Sequence, residues 1–169
     1  MKKKTINHAI GIATENPNFT YQYTDGDRYF ITDRHRIFEY DKAIETTPSV
    51  SVNAHANDIV ETIKRYIDDD HDYILYELPT VAEIKANIAK VAGRRLVDVV
   101  WGNEKFNINA RWLYKAMESL NAKVCYIDEY TPHKKGIVLY ENDNLQSEVR
   151  ELILPICKID REKVGYWIK

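Results

Sequence analysis

Residues 104–159, EKFNINARWLYKAMESLNAKVCYIDEYTPHKKGIVLYENDNLQSEVRELILPICKI, decide the reading of the fold. A short strand-like run through Phe106-Asn107 leads to Asn109, whose side chain can accept the free N–H groups that open a helix. Leu113, Ala116, Met117 and Leu120 then recur at helical spacing, with Arg111, Lys115 and Glu118 on the outward face. Alternating runs at 123–128, 136–141 and 151–159 predict three strands, the last with Pro155 inside an apolar stretch. A helix followed by three strands buries one helical stripe against one sheet face, so this stretch is a layer of core.

The same order occurs at the other end of the chain. Residues 5–15 place Ile6, Ala9, Ile10 and Ala13 on one helical face, ended near Asn16-Pro17. In FTYQYTDGDRYFITDRHRIFEYD (19–41), two alternating runs flank Asp25-Gly26, a dipeptide suited to a tight hairpin turn. A polar break at Asp33-Arg34 leads into Ile37-Phe38, giving three strands. The recurrence is a weak internal duplication.

Between these ends, residues 45–57 predict a loop with a brief strand at 50–52. Asp58 and Glu61 resemble a capping box for a helix carrying Ile59, Ile63, Tyr66 and Ile67, ended by Asp68-Asp69-Asp70. Residues 73–78 predict a strand. Thr80 and Glu83 cap a second helix with Val81, Ile84, Ile88 and Val91 inward, stopped at Gly93. Residues 96–101 predict a strand, and residues 164–169 an edge strand or a Trp167 packed on the core. The expected fold class is α+β, with helices packed on one side of antiparallel sheets.

Composition narrows the function classes. The chain has 169 residues, 44% hydrophobic and 30% charged, which fits one globular domain and excludes collagen-like or disordered classes. A formal net charge of −2 gives no global basicity. Cys125 and Cys157 lie in apolar strand runs and read as reduced core thiols, because a disulfide framework needs more cysteines. The basic start precedes only a short, broken apolar stretch, so no signal peptide is expected. No run approaches the roughly 20 apolar residues of a membrane span, and the expected location is the cytoplasm.

Catalytic signals are missing from the sequence. His8, His35, His55, His71 and His133 are scattered, with no H-E-x-x-H, C-x-x-C, phosphate-binding glycine loop, G-x-G-x-x-G or G-x-S-x-G. Asp33 and His35, read as lying two apart on one strand face, have no nucleophile beside them. The run Asp68-Asp69-Asp70-His71-Asp72 lacks the alternation and glycine of a calcium loop and reads as a solvated turn. No enzyme activity, metal or cofactor is expected.

Two motifs resemble a domain of the bacterial sliding clamp, the beta subunit of DNA polymerase III. Ile31-Thr32-Asp33-Arg34-His35-Arg36-Ile37 is similar to that family's A-T-D-G-H-R-L, and Phe106-Asn107-Ile108-Asn109-Ala110-Arg111-Trp112-Leu113 to its F-N-x-x-Y-L-L. Leu154-Pro155-Ile156 resembles the terminal M-P-[MV]-R. Arg34 stands where the family has glycine, Leu154 and Ile156 replace methionines, and the basic residue is displaced to Lys158. Clamps carry three such domains per chain, and this chain has room for one. The resemblance implies one clamp-like domain over 1–169, with a first half at 1–48, a diverged or inserted helical segment at 49–95 and a second half at 96–169. The two halves would be pseudo-repeats of a helix plus three strands.

The resemblance also implies two contact surfaces. An apolar groove capturing a short peptide motif of a replication or host protein would involve Thr32, His35, Arg36, Ile37, Leu154, Pro155 and Ile156. Because the family's groove lies between neighbouring domains, the resemblance leaves two arrangements open: a self-assembled, ring-forming homo-oligomer, or a solitary domain that engages a host replication or defence protein. Helices facing duplex DNA without reading bases would use Lys85, Lys90, Arg111 and Lys115. Residues 80–123 hold eight basic and four acidic residues, a sum of +4, and residues 58–79 two basic and seven acidic, a sum of −5. The residues themselves leave alternatives open: Ile37, Leu154 and Ile156 also fit a strand core, and the basic helices also fit solvated faces. The implied function is a non-catalytic, clamp-like binding protein acting around DNA replication or in a mobile element such as a phage. The alternative is an interaction module of unrelated function on the same scaffold, without DNA binding.

Overall fold

The computed structural model describes residues 3–15, 20–25, 27–33, 35–40, 73–88, 96–101, 104–128, 136–155 and 164–168. Helix α1 (Lys3–Glu15) buries Thr5, His8, Ala9, Ile12 and Ala13. The expected inward Ile10 is instead among the exposed large apolar residues, and Ile12 takes the inner position. Three strands follow, β1 (Tyr21–Asp25), β2 (Arg28–Thr32) and β3 (Arg36–Tyr40). Asp25 faces Arg28 across the predicted hairpin turn, and Thr32 faces Ile37 across the polar break.

The segment 49–95 supplies strand β4 (Tyr73–Glu77) and helix α2 (Val81–Ile88). The Thr80 N–H donates to Glu83 Oε2 at 2.7 Å, and the Glu83 N–H donates to Thr80 Oγ1 at 3.2 Å. This reciprocal cap satisfies donors that a helix start leaves free. The expected strand at 50–52, the helix opening at Asp58, the acidic run at 68–72 and the stop at Gly93 lie outside the described residues.

The second half contains β5 (Leu96–Trp101), β6 (Glu104–Asn109), α3 (Ala110–Leu120), β7 (Val124–Asp128), β8 (Ile137–Tyr140), β9 (Arg150–Ile153) and β10 (Val164–Ile168). Asn109 accepts from the N–H groups of Arg111 at 2.9 Å and Trp112 at 3.3 Å, ending β6 and opening α3 in one residue. Asn121 ends α3 in a left-handed conformation, with φ 54°. β9 stops at Ile153 rather than continuing to 159. Pro155 has no N–H to offer a ladder and limits the strand.

Seven antiparallel strands form the large sheet in the order β1-β2-β3-β9-β8-β7-β4. Its centre is the β3–β9 pair, in which Ile37 faces Leu152 and Phe38 faces Glu151. A smaller sheet runs β10-β5-β6, with β10 parallel to β5, so antiparallel pairing does not extend throughout. Gly136, at φ +77°, passes so close to β9 that a Cβ would lie 2.1 Å from the Ile153 carbonyl oxygen, and only glycine fits there.

Alternation sorts the large sheet into two apolar layers. Ile31, Phe38, Ile137, Leu139 and Ile153 pack with Ala9, Ile12, Ile84, Ile88, Leu113, Ala116 and Leu120 of the three helices. Phe30, Ile37, Tyr126, Val138, Tyr140 and Leu152 form the second layer, against which Leu154 packs. Each fully buried Ile, Leu or Phe contributes about 1.5–3 kcal/mol. Among the described residues no helix is long and apolar enough to cross a membrane.

Candidate functional site

A single carboxylate shapes the turn between β2 and β3. Asp33 Oδ1 accepts from the N–H groups of His35 at 3.1 Å and Arg36 at 2.9 Å. Its Oδ2 accepts from Arg36 Nε at 3.0 Å and Nη2 at 2.6 Å. Asp33 and Arg36 are 2% and 1% exposed, so the ion pair is withdrawn from water. Asp33 and His35 therefore do not share a strand face. Asp33 lies outside the strands and turns its carboxylate to Arg36, while exposed His35 stacks on Trp112 of α3 at 5.3 Å.

Arg36 continues the network towards the helices. Its Nη2 donates to Glu15 Oε2 at 2.9 Å, and its guanidinium lies 5.0 Å from the Trp112 ring centroid. Burial alone would lower the Arg36 pKa, but the charges of Glu151, Asp33 and Glu15 outweigh it and hold it above the ordinary value. Glu15 also pairs with Lys115 and lies 3.5 Å from Arg111. Burial would raise the Glu15 carboxyl, yet the Lys115 hydrogen bond and the Arg36 charge hold it below its usual range.

Above this network the two ends of the chain meet. The Leu154 N–H donates to the His35 carbonyl at 2.8 Å, just beyond the Arg36–Ile153 register. Thr32, Ile37 and Leu154 lie on the sheet face away from the helices, and half-buried Pro155 follows them. His35 is exposed at the same end of the sheet. Arg36 points the other way, under α1 and α3, and Ile156 lies outside the described residues.

The basic candidates lie on the helical layer. Lys85 of α2 pairs with Glu118 of α3 at 2.6 Å and lies 4.7 Å from the Tyr114 ring centroid. Arg111 and Lys115, one turn apart on α3, both turn towards Glu15. These three cations thus share the outer surface around α3, each beside a carboxylate. Lys90 lies outside the described side chains.

Several polar groups escaped the sequence reading. Glu151 is fully buried, with Oε2 2.5 Å from His8 Nε2. Its inward position follows from alternation with Ile153, but a carboxylate beside an apolar run reads as outward. On the opposite face, Glu39 accepts from Arg28 Nε and Arg150 Nε, both at 2.7 Å. Burial pushes the Cys125 thiol up to about 12. Among the described residues no three His, Cys, Asp or Glu side chains are grouped to hold a metal ion. No protein-family model matches the chain, and no curated protein matches it.

Proposed function

We propose that this chain is a non-catalytic, clamp-like binding protein that captures a short apolar peptide motif of a replication or host protein. The reading is carried by one observation: the Leu154 N–H to His35 carbonyl bond joins the two segments that resemble the family's groove motifs. In this reading, α1-β1-β2-β3 and α3-β7-β8-β9 are half-units meeting at β3–β9, and the strand order supports that arrangement. Half-buried Leu154 and Pro155 offer apolar atoms over the buried Thr32 and Ile37, and exposed His35 lies at the same end of the sheet with its ring turned to Trp112 on the helical side. Arg36 supports the groove from beneath.

Among the described residues the outer strands β1 and β4 have no further partner in the sheet order, which favours assembly through sheet edges. The test is a display selection of short peptides on the immobilised chain. Selected apolar motifs should bind the wild type and lose at least about tenfold in affinity with His35→Ala and Leu154→Ala together. Equal binding to this variant excludes the groove.

Duplex DNA is the second reading, favoured by the common surface of Lys85, Arg111 and Lys115. Their acidic neighbours make it the weaker of the two. If it is correct, affinity falls steeply with salt, and removing each lysine or arginine that contacts a phosphate lowers the logarithmic salt slope by about 0.9. A chain that stays monomeric and ignores duplex at low salt, while binding a protein, supports the interaction module without DNA binding.

A further inference from the structure

Strand β4 forms one edge of the large sheet, and its ladder with β7 runs unbroken from Tyr73–Asp128 to Glu77–Val124. The Leu78 N–H donates to the Lys123 carbonyl at 2.8 Å, directly beyond that register. Bonded and open positions alternate along an antiparallel pair, so Tyr76 and Ile74 share the inward role of Leu78. The N–H and C=O groups of Tyr73, Leu75 and Glu77 therefore point away from β7. Among the described residues no strand pairs with that edge. Exposed edges are commonly blunted by lysine, proline or a bulge, and YILYE (73–77) carries none of these. Tyr76 packs against the helical core, whereas Leu75, on the opposite sheet face, is 52% exposed. It is the most exposed large apolar side chain among the described residues.

A second copy of the same strand matches each of these features. A two-fold axis at Leu75 sets Leu75 opposite its own copy and Tyr73 opposite Glu77. These are the residues whose backbone groups point outward, so every outward donor meets an outward acceptor. The two Leu75 side chains then lie on one sheet face and cover each other. The Glu77 carboxylates fall at opposite ends, about 14 Å apart at roughly 3.4 Å per residue, beyond the ~8 Å screening length of physiological salt. Parallel pairing in register would instead set those like charges side by side. We propose that β4 pairs antiparallel with β4 of a second copy about this axis, joining two large sheets into one. Such an interface is self-complementary and closes as a dimer. This dimer specifies the edge used in the assembly described above and is independent of the His35–Leu154 seam, which lies at β3–β9 in the middle of the sheet.

The test is sedimentation velocity of the full chain from micromolar to millimolar concentration, joined to disulfide cross-linking in a Cys157→Ser background, where Cys125 is buried. Wild type should show a reversible, concentration-dependent monomer–dimer equilibrium. Leu75→Lys and Leu75→Pro should each weaken the dimer by about tenfold or more. Proline at 75 removes only an outward N–H and costs the β4–β7 ladder no bond, and Leu75→Lys decides the matter if the proline variant does not fold. Residues opposed in such a pair have Cα atoms about 5.5 Å apart, within reach of a disulfide. Tyr73→Cys and Glu77→Cys chains should therefore link to each other when mixed, and neither to itself. Dimerisation should persist in the His35→Ala, Leu154→Ala double variant, so failure of the groove and failure of the dimer are read separately. A chain monomeric throughout, a dimer unaffected by the Leu75 variants, or self-linking of Tyr73→Cys would overturn the proposal. So would a monomer whose β4 edge takes an extended peptide of another protein, lost in Leu75→Lys, in place of a second copy.

Discussion

The Leu154 N–H and the His35 carbonyl meet at 2.8 Å, which fixes the end of β9 against the turn that precedes β3. Both segments are anchored on their other sides, by the β3–β9 ladder and by the Asp33 carboxylate. The seam is therefore held by backbone hydrogen bonds together with the Asp33 side chain, and truncating the Leu154 side chain should cost folding less than losing the Leu154 N–H. Leu154→Pro removes the donor and should destabilise the protein by about 1–3 kcal/mol. Leu154→Ala retains the bond and should cost less than Leu154→Pro, and urea denaturation of the two variants compares them.

Arg36 lies among three carboxylates, Asp33, Glu15 and Glu151. Arg36→Met leaves buried negative charge uncompensated and should destabilise by about 3–5 kcal/mol. Adding Asp33→Asn should restore part of that loss, so the two changes combine to less than their sum. A double-mutant cycle by denaturant unfolding measures the coupling.

Glu15 gives a pH dependence of definite sign. Its folded-state pKa lies below the ordinary carboxyl value of 4.5, so its contribution is full above that value and fades as pH falls through the lower one. Glu15→Gln should be less stable than wild type at neutral pH. The difference should shrink progressively below pH 4.5, as thermal unfolding across the acid range would record.

Cys125 is fully buried with its thiol pushed up to about 12, leaving negligible thiolate at neutral pH. In a Cys157→Ser background, native protein should not react with a thiol-specific reagent at pH 8 over the time in which denatured protein reacts completely. Rapid native labelling would place Cys125 outside the core.

The parts of the fold that could be read directly rest on local chemistry. Asn109, the Thr80–Glu83 pair and the Asp25-Gly26 turn act on backbone groups within a few residues, so short patterns reveal them. The phase of α1 differs from the apolar pattern at Ile10 because its buried face carries polar Thr5 and His8, which blur the apolar stripe. Sheet neighbours were less accessible still. Nothing in residues 73–77 specifies pairing with β7, and nothing in residues 164–168 specifies a parallel alignment with β5. Those choices are made by packing between distant segments. At the site, proximity of the two motifs was implied by the resemblance, whereas burial of Arg36 and its partnership with Glu15 depend on where α1 lies.

The central claim is most directly tested by amide chemical-shift mapping of a selected apolar peptide on the wild-type chain. The account predicts saturable shifts concentrated at Thr32, His35, Ile37 and Leu154, and absent from the outer helical residues Lys85 and Arg111. Shifts centred on the helical layer, with the His35–Leu154 seam unperturbed at saturation, would contradict it.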